Sequence, residues 1–399
     1  MRKVGLWLRH GYAPTTGGGF SYFDALLRSL ASRRFDDFEI CLVSPAQSSP
    51  VIDGLECIHL GLLPNKVPLL GQLSSKHRWA KVFLTVNSRL RKKQWRRKLE
   101  NANVSLLYYA TQSDYIMNGF PFVTTVWDMG YYVTYPFPEL IQGNNFKGRR
   151  RLFTRILPKA LMVFCESEAG KKDLIQYANI NECKIRVVPI FAGNVINMKV
   201  GDKMQNMILE KYGLARNRYF FYPAQFWAHK NHVGILKAFK AFVQTHADYK
   251  VVFTGGDKGN KDYVKNYCRI TGLIDHVLFL GFVENEEIYT FYKNATALVM
   301  ASFFGPTNMP PIEAMHLGCP VICSDIDGHR EIMGEAAFYF EATNNLELVA
   351  AMNEMSTHHD SYRELLKQQL QQTKFTTNFA IQKIEEFLNE ALMIRNTWK

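Results

Sequence analysis

The sequence predicts an α/β protein with two facing domains, each a doubly wound, Rossmann-like parallel sheet with helices on both faces. Three observations support this prediction. The 399 residues exceed an ordinary single core, because domains usually hold about 100–200 residues. Short apolar runs alternate with amphipathic stretches, which is typical of parallel sheets with crossover helices. The alternation stops near residue 190 and starts again near residue 206, so we expect a cleft between two such units.

The N-terminal domain is predicted over residues 1–190. It opens with a buried-looking strand, KVGLWL, and a helix led by glycines, GGGFSYFDALLRSLASR. The apolar runs FEICLVSP, VSLLYYAT, FVTTVWD and ALMVFCES follow, each ending in polar residues. Short apolar runs bounded by loop residues are typical of buried strands, so we expect each run to be a strand of one parallel sheet.

The second domain is predicted over residues 206–375, after a linker over residues 191–205 that lacks clear periodicity. Its strands and helices are predicted to alternate through RYFFYPAQF, HVGILKAFKAFVQTH, YKVVFTGG, KDYVKNYCRITG, HVLFLGFV, NEEIYTFYKNA, TALVMAS, EAMHLG and PVICSD. A last helix over residues 376–399 has its own apolar stripe, and we expect it to pack back toward the N-terminal domain. The stripe consists of Ile381, Ile384, Phe387, Leu388, Ala391 and Leu392.

Composition indicates a globular protein of a reducing compartment. Hydrophobic residues make up 47% and charged residues 21% of the chain, which argues against disorder. The seven cysteines are odd in number, scattered and without a CxxC pair, so neither a disulfide framework nor a zinc site is indicated. The N-terminus does not resemble a signal peptide, and no apolar run approaches the ~20 residues that cross a bilayer. We expect a cytoplasmic protein.

The positive charge lies in the N-terminal half. Residues 1–200 hold 28 Lys and Arg against 14 Asp and Glu, whereas residues 201–399 hold 20 against 22. Ten of the cations lie in residues 76–99, and residues 147–159 form a second cluster, KGRRRLFTRILPK. A basic amphipathic helix binds an anionic membrane surface, where each cation adds about 1 kcal/mol. We therefore expect peripheral binding at the inner face of the cell membrane through these two segments.

The alternative for the first basic segment is that its apolar stripe packs on the core and its cations are merely solvated. The stripe consists of Trp79, Val82, Phe83, Val86 and Leu90.

Two loops that follow predicted strands carry residues suited to a diphosphate. Gly17, Gly18 and Gly19 lie between a strand and a helix, where bare backbone can approach a phosphate or sugar closely. Lys230 lies in another strand-to-helix loop and can neutralise a diphosphate as a point charge. The alternatives are a tight strand–helix turn for the glycines and a solvated loop lysine for Lys230.

A third loop lies in the stretch ASFFGPTNMPPIEAMHLGCPVICSD. Pro310 and Pro311 are predicted to stiffen the turn before the helix begins. Glu313 is then expected in the first helical turn, where the helix dipole favours an anion. A carboxylate held in a cleft accepts hydrogen bonds from paired hydroxyls such as those of ribose, while amides around Asn308 and Met309 receive phosphate or sugar oxygens. The alternative is a helix-start glutamate without further function.

Together these stretches resemble the retaining glycosyltransferases of family 4, which have the GT-B fold. The resemblance covers most of the chain and is strongest from Phe220 to Phe340, through YPAQFWAHKNHVGILKAF, VVFTGG, VLFLGFVENEEIYTFYKNATALVMAS and GPTNMPPIEAMHLGCPVICSDIDGHREIMGEAAFYF. The glycine loop, TTVWD and CESEAGKKDL match more weakly. The resemblance implies transfer of a sugar, with retained configuration, from a nucleotide-diphosphate sugar to a glycan or lipid-linked acceptor in polysaccharide or lipopolysaccharide synthesis.

The resemblance also implies residue roles. Lys230, Glu313 and Asp128 are the expected catalytic residues: Lys230 holds the diphosphate with the glycine-loop amides, Glu313 holds the ribose, and Asp128 lies near the donor sugar or acceptor. The backbone near Phe282 and Val283 meets the base. No cofactor and no metal is expected, because lysine and helix amides replace the cation. The expected donor-binding residues are Gly17, Gly18, Gly19, Gln225, Phe282, Val283, Thr307, Asn308 and Met309.

The sequence departs from the family pattern at three positions. Gly305 stands where the family has the first of two signature glutamates, and Thr307 or Asn308 is a candidate substitute. Gln225 stands where the family has an arginine, which removes a positive charge from the diphosphate site. Trp127 stands where the family has a histidine. These departures bear on donor choice and activity, and mannose, glucose and N-acetylhexosamine donors all fit the pattern.

Three other interpretations remain open from the sequence. A GT-B-type nucleotide-sugar epimerase shares the two facing domains but needs no acceptor. A non-enzymatic nucleic-acid-binding protein would use the same basic stretches, although no recognition motif accompanies them. Asp325 and Asp327 have the spacing of a metal-binding DxD motif, but a turn before a helix requires such residues as well.

Overall fold

The computed structural model describes residues 1–8, 18–45, 52–61, 91–112, 116–117, 119–133, 137–141 and 145–398. These residues form two parallel β-sheets with helices around them. The strands of the first sheet are β1 (Arg2–Trp7), β2 (Phe38–Ser44), β3 (Cys57–His59), β4 (Val104–Tyr109), β5 (Phe122–Val126), β6 (Met162–Cys165) and β7 (Ile185–Val187). The strands of the second sheet are β8 (Tyr219–Pro223), β9 (Lys250–Thr254), β10 (Val277–Gly281), β11 (Ala297–Met300), β12 (Val321–Ser324) and β13 (Phe338–Phe340).

Both sheets have the strand order of doubly wound folds. The first runs β3-β2-β1-β4-β5-β6-β7 and the second β10-β9-β8-β11-β12-β13, and the strand pairs are parallel. Every residue of β5, β6, β11 and β12 is buried, as expected for strands covered by helices on both faces. The predicted fold class, two facing Rossmann-like domains as in GT-B proteins, is confirmed.

The helices alternate with the strands along the chain. Those of the N-terminal part are α1 (Gly18–Ala31), α2 (residues 91–101), α3 (Gly130–Val133), α4 (Pro138–Ile141), α5 (Asn145–Arg151) and α6 (Glu168–Ala178). Those of the C-terminal part are α7 (Asp202–Lys211), α8 (His232–Phe242), α9 (Lys261–Thr271), α10 (Asn285–Asn294), α11 (Met309–Leu317), α12 (Asp327–Met333), α13 (Asn345–Gln372) and α14 (Thr377–Asn396). A π-helical turn, Leu152–Ile156, directly follows α5.

Helix α11 begins earlier than predicted. Its first residue is Met309, so Pro310 and Pro311 lie inside the first turn instead of preceding the helix. Proline fits there because the first-turn N–H groups have no intrahelical partner and the fixed φ suits a helix. Glu313 is consequently the fifth helical residue, and the expectation that it lies in the first turn is wrong. The helix dipole acts mainly on the first turn, so other contacts must account for the position of this carboxylate.

The last helix, α14, lies against the N-terminal part of the chain. Arg33 forms an ion pair of 2.5 Å with Glu385, and the Asn389 amide donates to Asp37 at 3.0 Å. Arg186, at the centre of β7, pairs with Glu390. The apolar stripe of α14 is buried, with Ile384 and Leu388 completely covered. The division into domains at residues 190, 206 and 375 stays a prediction.

The basic segments are only partly described, because residues 76–90, which hold the predicted apolar stripe, lie outside the described ranges. Residues 91–101 are helical, and their apolar members Trp95 and Leu99 are buried in the core. The Trp95 ring lies 6.1 Å from that of Trp7. In residues 147–159 the buried side chains are Phe153 and Leu157. In both described stretches the apolar side thus faces the protein and the outer side is cationic. Among the residues that the structure describes, no helix is long and apolar enough to span a bilayer.

Candidate active site

The loops of interest extend from the carboxyl ends of strands in both sheets. Trp127 and Asp128 follow β5, and Glu166 follows β6. In the second sheet, residues 224–231 follow β8 and residues 301–308 follow β11; we call these the β8 loop and the β11 loop. Carboxyl ends of parallel strands meet at one edge of a sheet, and ligands of such sheets bind beyond that edge. Contacts between the two sets of loops define the candidate site.

Lys230 lies at the centre of these contacts. It ends a 3-10 turn, Ala228–Lys230. The next residue, Asn231, has a left-handed backbone (φ 56°), and its side chain caps helix α8. The Lys230 ammonium donates to Asn308 Oδ1 at 2.8 Å and lies 3.5 Å from the Ser302 hydroxyl. Burial lowers the pKa of Lys230 to about 8, although the negative charge of Asp128 acts against this shift. The structure therefore brings together Lys230 and Asn308, which the sequence predicts separately as donor-site residues.

A buried histidine holds Asn308 in place. The Asn308 amide donates to His329 Nε2 at 2.9 Å, and His329 Nδ1 donates to the Ser324 carbonyl at 2.8 Å. Burial lowers the pKa of His329 to about 4, so this ring is neutral at physiological pH and its Nε2 accepts. Asn308 consequently presents its carbonyl oxygen to Lys230. The sequence interpretation missed His329, because a histidine inside GHREI carries no pattern that indicates a buried acceptor.

Glu313 is buried, with 7% of its surface exposed. Its Oε2 accepts from the Tyr292 hydroxyl at 2.9 Å and its Oε1 from the Gly193 amide at 3.3 Å. Burial raises the pKa of Glu313 to about 7, while these two hydrogen bonds act in the opposite direction. A Cβ on Gly193 would lie 3.0 Å from Oε1 and 3.3 Å from Ser21 in α1. Glu313 thus lies where α1, α11 and the segment after β7 meet, and each oxygen has a second lone pair for a hydroxyl.

The glycine loop and Asp128 lie on the N-terminal side. Gly17 falls outside the described residues and Gly18 begins α1. A Cβ on Gly19 would lie 3.3 Å from the Trp127 ring, so the start of α1 is close to the residue that directly follows β5. Asp128 Oδ1 accepts from the Gly130 amide at 3.0 Å and from Arg149 at 3.4 Å.

The remaining predicted donor residues are spread over two places. Gln225 Oε1 accepts from Trp227 Nε1 at 3.0 Å. The Phe282 side chain is 54% exposed, and its ring would be 2.8 Å from a Cβ on Gly256, while Val283 is half-buried. Met309 begins α11, and the Thr307 hydroxyl donates to Glu166. The structure joins Thr307, Asn308 and Lys230 by contact, whereas Gln225 and Phe282 lie around the turn that follows β9.

Glu139 of the N-terminal part binds the β8 loop and was missed by sequence reasoning. Its Oε1 accepts from the His229 amide at 3.0 Å and from His229 Nδ1 at 2.5 Å. The His229 ring also stacks on Phe304 of the β11 loop, with centroids 4.2 Å apart. Burial raises the pKa of Glu139, but the hydrogen bonds from His229 outweigh it, so the net shift is downward. The carboxylate is thus ionised and pairs with the residue next to Lys230.

Glu166 is a second N-terminal carboxyl that the sequence interpretation missed. Only 4% of its surface is exposed, and it accepts from the Thr307 hydroxyl across the two sheets. The next residue, Ser167, donates to the Pro306 carbonyl at 3.1 Å and caps helix α6 by accepting from Gly170. Glu331 of α12 accepts from the first two amides of α6, both at 3.1 Å. The β11 loop is therefore anchored on the N-terminal part at several points.

Acidic residues in the described part of the chain do not form a metal site. No group of three or more His, Cys, Asp or Glu is placed there to hold an ion. Asp325 pairs with Arg330 at 2.5 and 2.7 Å, and Asp327 lies 3.5 Å from Lys172. A surface cavity of about 670 Å³ lies elsewhere, and none of its lining residues belongs to the predicted site.

The geometry suits a ligand that carries an anionic group and hydroxyl groups and that binds between the two sheets. Lys230 supplies one positive charge in a half-buried position, and Asn308 and Met309 supply backbone N–H groups, whereas Pro310 and Pro311 have none. Glu313 supplies acceptor capacity for hydroxyl groups, and Asp128 supplies a negative charge on the opposite side.

A family comparison matches the C-terminal part of the chain. Residues 205–372 match the family described as glycosyl transferases group 1. The matched region contains Lys230, the β11 loop and Glu313, and ends with helix α13.

Two proteins of known name are similar to this chain in sequence. The chain is 24% identical over 245 residues to O-antigen chain mannosyltransferase B of Escherichia coli, which covers 61% of this chain and 63% of that protein. It is 32% identical over 127 residues to O-antigen chain mannosyltransferase RfbU of Salmonella typhimurium, covering 31% of this chain and 34% of that protein. The chain thus spans less than two thirds of the length of the curated relatives it matches.

Solved structures match nearly the whole chain. Sucrose-phosphate synthase from Thermosynechococcus elongatus superposes with a TM-score of 0.72 at 15% identity, over 99% of this chain and 100% of that one. Anabaena HepE in complex with UDP-glucose gives a TM-score of 0.67 at 18% identity, over 98% and 100%. At these identities the likeness concerns the fold.

Proposed function

We propose that the protein is a retaining glycosyltransferase, because residues 205–372 match the family described as glycosyl transferases group 1 and the chain has the GT-B fold. It moves a sugar from a nucleotide-diphosphate sugar to a glycan or lipid-linked acceptor in polysaccharide or lipopolysaccharide synthesis. The resemblance to GT-B glycosyltransferases is confirmed at this level, while membership of family 4 stays a prediction.

The observation that carries the proposal is the Lys230–Asn308 contact of 2.8 Å between the β8 and β11 loops. It places a cation with a lowered pKa at the carboxyl ends of two adjacent strands, where nucleotides bind in such sheets. A diphosphate is a stronger partner for this ammonium than a neutral amide oxygen, because both partners of the new pair are charged. Binding of the donor therefore replaces the hydrogen bond from Lys230 to Asn308 with a stronger one to the diphosphate.

The proposed chemistry needs no protein nucleophile. The bond from the anomeric carbon to the diphosphate oxygen breaks, and the acceptor oxygen bonds to the same face of the sugar. The leaving phosphate takes the acceptor's proton. Lys230 and the amides of the β11 loop stabilise the negative charge that develops on the diphosphate. Glu313 holds the ribose, and Asp128 lies near the donor sugar or acceptor.

The acceptor class is supported by the names of the relatives. Two mannosyltransferases of O-antigen chains are similar to this chain, and the Anabaena HepE structure contains UDP-glucose. We propose a cell-surface polysaccharide or lipopolysaccharide precursor as acceptor and a hexose as the transferred group.

The test is a donor panel with purified protein. UDP-, GDP- and dTDP-sugars are incubated with and without candidate acceptors, and nucleotide release and glycosylated product are followed. We expect product only with acceptor present. Release of epimerised free sugar from donor alone would support the epimerase interpretation instead.

The same assay includes Lys230→Ala. Its kcat should fall by about 100-fold or more, the usual effect of removing a group that stabilises transition-state charge. Lys237→Ala, at an exposed lysine of α8, is the matched control and should keep wild-type turnover. Full turnover of Lys230→Ala at saturating donor would contradict the proposal.

Metal independence is part of the proposal and has its own test. Turnover should persist in excess EDTA and should not rise when Mg²⁺ or Mn²⁺ is added, because Lys230 and backbone amides balance the diphosphate charge. Loss of turnover in EDTA with recovery on adding a divalent ion would contradict this part alone.

We further propose that the basic segments 76–99 and 147–159 bind an anionic membrane surface at the inner face of the cell membrane. In the described part of the first segment, Lys93, Arg96 and Arg97 are exposed while Trp95 is buried. Attraction between these cations and lipid headgroups is screened by salt. Such docking would bring a lipid-linked acceptor to the cleft.

A further inference from the structure

Glu166 occupies an unusual position for a buried acid. It follows β6 in the first sheet, yet it accepts a hydrogen bond from Thr307, which belongs to the second sheet's β11 loop. Among the described residues, Thr307 is the one side-chain hydrogen-bond partner of its carboxyl group. Burying an ionised carboxylate to this degree is costly unless the group is paired with a positive charge or becomes neutral. The proposed reaction assigns no role to Glu166.

We propose that Glu166 is a positioning residue, which sets the β11 loop from the opposite sheet through Thr307 and so aligns Asn308 with Lys230. This inference rests on the proposed function. It adds a group that acts through the loop, not on the substrate itself.

The first support is the short path from Glu166 to the candidate site. Thr307 is the neighbour of Asn308 in the chain, and Asn308 Oδ1 accepts from Lys230 at 2.8 Å. His329 fixes the other end of the Asn308 amide. A shift of the backbone at Thr307 therefore moves Asn308 relative to Lys230 and His329. A displacement of about 1 Å can lower the catalytic rate about 100-fold.

The second support is the confinement of the loop on its other sides. The Pro306 carbonyl accepts from Ser167 at 3.1 Å, and a Cβ on Gly328 of α12 would lie 1.7 Å from the same oxygen. The loop is thus held between the start of α6 and the start of α12. Of the contacts that hold the loop from the other sheet, the hydrogen bond from Thr307 to Glu166 is the nearest to Asn308 in sequence.

The third support is electrostatic. Burial raises the pKa of Glu166 to about 8, with the negative charge of Asp128 acting in the same direction and the Thr307 hydrogen bond opposing it. Among the described residues, Tyr22 of α1 and Cys165 of β6 also interact electrostatically with this carboxyl, and burial raises the pKa of each. Glu166 is therefore mostly neutral at pH 7. A neutral carboxyl can hold the loop beside an anionic diphosphate without repelling it.

The ionisation of Glu166 gives the inference a specific signature. Above about pH 8 the carboxyl becomes an anion beside Asp128, and the added negative charge repels the donor's phosphates, so turnover falls. In the Glu166→Gln protein the introduced amide has the same shape as the carboxyl, accepts from Thr307 and cannot ionise. Glu166→Ala removes the contact altogether.

The experiment combines pH profiles of kcat and donor KM with hydrogen–deuterium exchange of the β11 loop amides. The proteins are the wild type, Glu166→Gln, Glu166→Ala, Thr307→Val and the double variant Glu166→Ala/Thr307→Val. We expect Glu166→Gln to keep turnover within about threefold at pH 7. Because Lys230 titrates near pH 8 in both proteins and Glu166 only in the wild type, the ratio of kcat/KM between Glu166→Gln and the wild type should rise above pH 8. Glu166→Ala and Thr307→Val should each lose about tenfold or more in kcat/KM, and the double variant little more, because contacting residues are not additive.

Exchange of the loop amides separates this inference from the proposed function, because it needs no turnover. Faster exchange at residues 302–308 in Glu166→Ala, but not in Glu166→Gln, supports the positioning role even if the wild type transfers no sugar, in which case the proposed function fails alone. Wild-type exchange in Glu166→Ala overturns the inference whatever the activity. A ratio of kcat/KM between Glu166→Gln and the wild type that stays constant from pH 7 to pH 9, or fully multiplicative losses in the double variant, would overturn it as well.

Discussion

At the scale of single residues, the site depends on ionisable groups in half-buried or buried positions. Lys230 has a pKa lowered to about 8, Glu313 a pKa raised to about 7, and Glu166 a pKa raised to about 8, each mainly through burial. Burial disfavours the charged form of every group, whatever its sign. Such shifts in one crevice are typical of sites that bind charged ligands, and they make binding and stability depend on pH in predictable directions.

The lowered pKa of Lys230 predicts pH-dependent nucleotide binding. A diphosphate binds the protonated ammonium, so affinity should be highest below about pH 8 and fall as the pH rises through that value, by up to about tenfold per pH unit. Binding at pH 8.5 should also take up protons. Calorimetric titration with UDP or GDP, in two buffers of different ionisation enthalpy, measures both effects.

Lys230→Arg is the control for this titration, because a guanidinium stays charged over the whole range. Its affinity should vary less between pH 7 and 9 than that of the wild type. The same pH dependence in both proteins would show that another group is responsible.

The raised pKa of Glu166 predicts a pH-dependent difference in stability. The folded protein holds a proton at pH 7 that the unfolded chain, with a glutamate pKa of about 4.3, has released. The stability from this group is thus fully present below about pH 4 and is lost as the pH rises to about 8. Glu166→Gln should therefore have a Tm close to wild type near pH 4.5 and a higher Tm at pH 8. Glu210→Gln, at an exposed position, controls for the loss of one negative charge; a constant difference at all pH values would contradict the assignment.

At the scale of elements, the β11 loop and its flanking helices matter most. Gly328, the second residue of α12, lies against the Pro306 carbonyl, and a Cβ there would be 1.7 Å from the oxygen. The contact is with backbone, so no side-chain rotation relieves it. The start of α12 and the β11 loop are packed so closely that only glycine fits between them.

Gly328→Ala should therefore displace the β11 loop while leaving Lys230, Asn308 and Glu313 chemically unchanged. We expect a loss of about tenfold or more in donor kcat/KM together with a lower Tm. Gly148→Ala, in a helix where a Cβ meets no atom within 4 Å, is the matched control and should leave both values near wild type. Unchanged donor kinetics in Gly328→Ala would show that the loop position does not matter.

Which elements the sequence predicts depends on their length and place. The apolar runs of β1, β5, β8 and β11 are long or fully buried and were predicted. The edge strands β3, β7 and β13 have three residues each, too few to show a pattern, and were missed. The long helix α13 was also missed, since its weakly amphipathic sequence follows the last recognisable motif.

The site is predictable from sequence only where its residues share a motif. Lys230, Asn308 and Glu313 lie in or next to loops that follow strands, and the topology of a parallel sheet brings such loops together. Glu139 and Glu166 contact the same loops from the other sheet, 90 and 141 residues away in sequence. Nothing in the local sequence indicates a contact that depends on how the two sheets face each other. From the sequence, Glu166 therefore resembles part of an ordinary strand–helix junction.

At the scale of the whole molecule, two sheets face each other through ionic, aromatic and hydrogen-bonded contacts around the candidate site. Glu139 with His229, and Glu166 with Thr307, flank the Lys230–Asn308 pair. Among the described residues, Arg149 of the second basic cluster contacts Asp128 of the candidate site at 3.4 Å.

Membrane binding can be tested by removing cations from the first basic segment. The double variant Arg96→Ala/Arg97→Ala should sediment less with anionic liposomes at low salt than the wild type, and the wild type should dissociate as salt rises. Lys237→Ala/Lys240→Ala removes the same charge from exposed positions of α8 and should bind like the wild type. Equal losses in both variants would indicate a nonspecific charge effect, and retention of the wild type at high salt would contradict electrostatic docking.

The central claim is that a nucleotide's diphosphate binds between Lys230 and the β11 loop. A crystal structure of the protein with UDP or GDP, whichever binds in the titration, tests it most directly. The account predicts a phosphate oxygen within hydrogen-bond distance of Lys230 Nζ, in place of or beside Asn308 Oδ1, and a ribose hydroxyl on Glu313. A nucleotide bound elsewhere, for example in the cavity lined by Arg216 and Arg363, with Lys230 still bonded only to Asn308, would contradict the account.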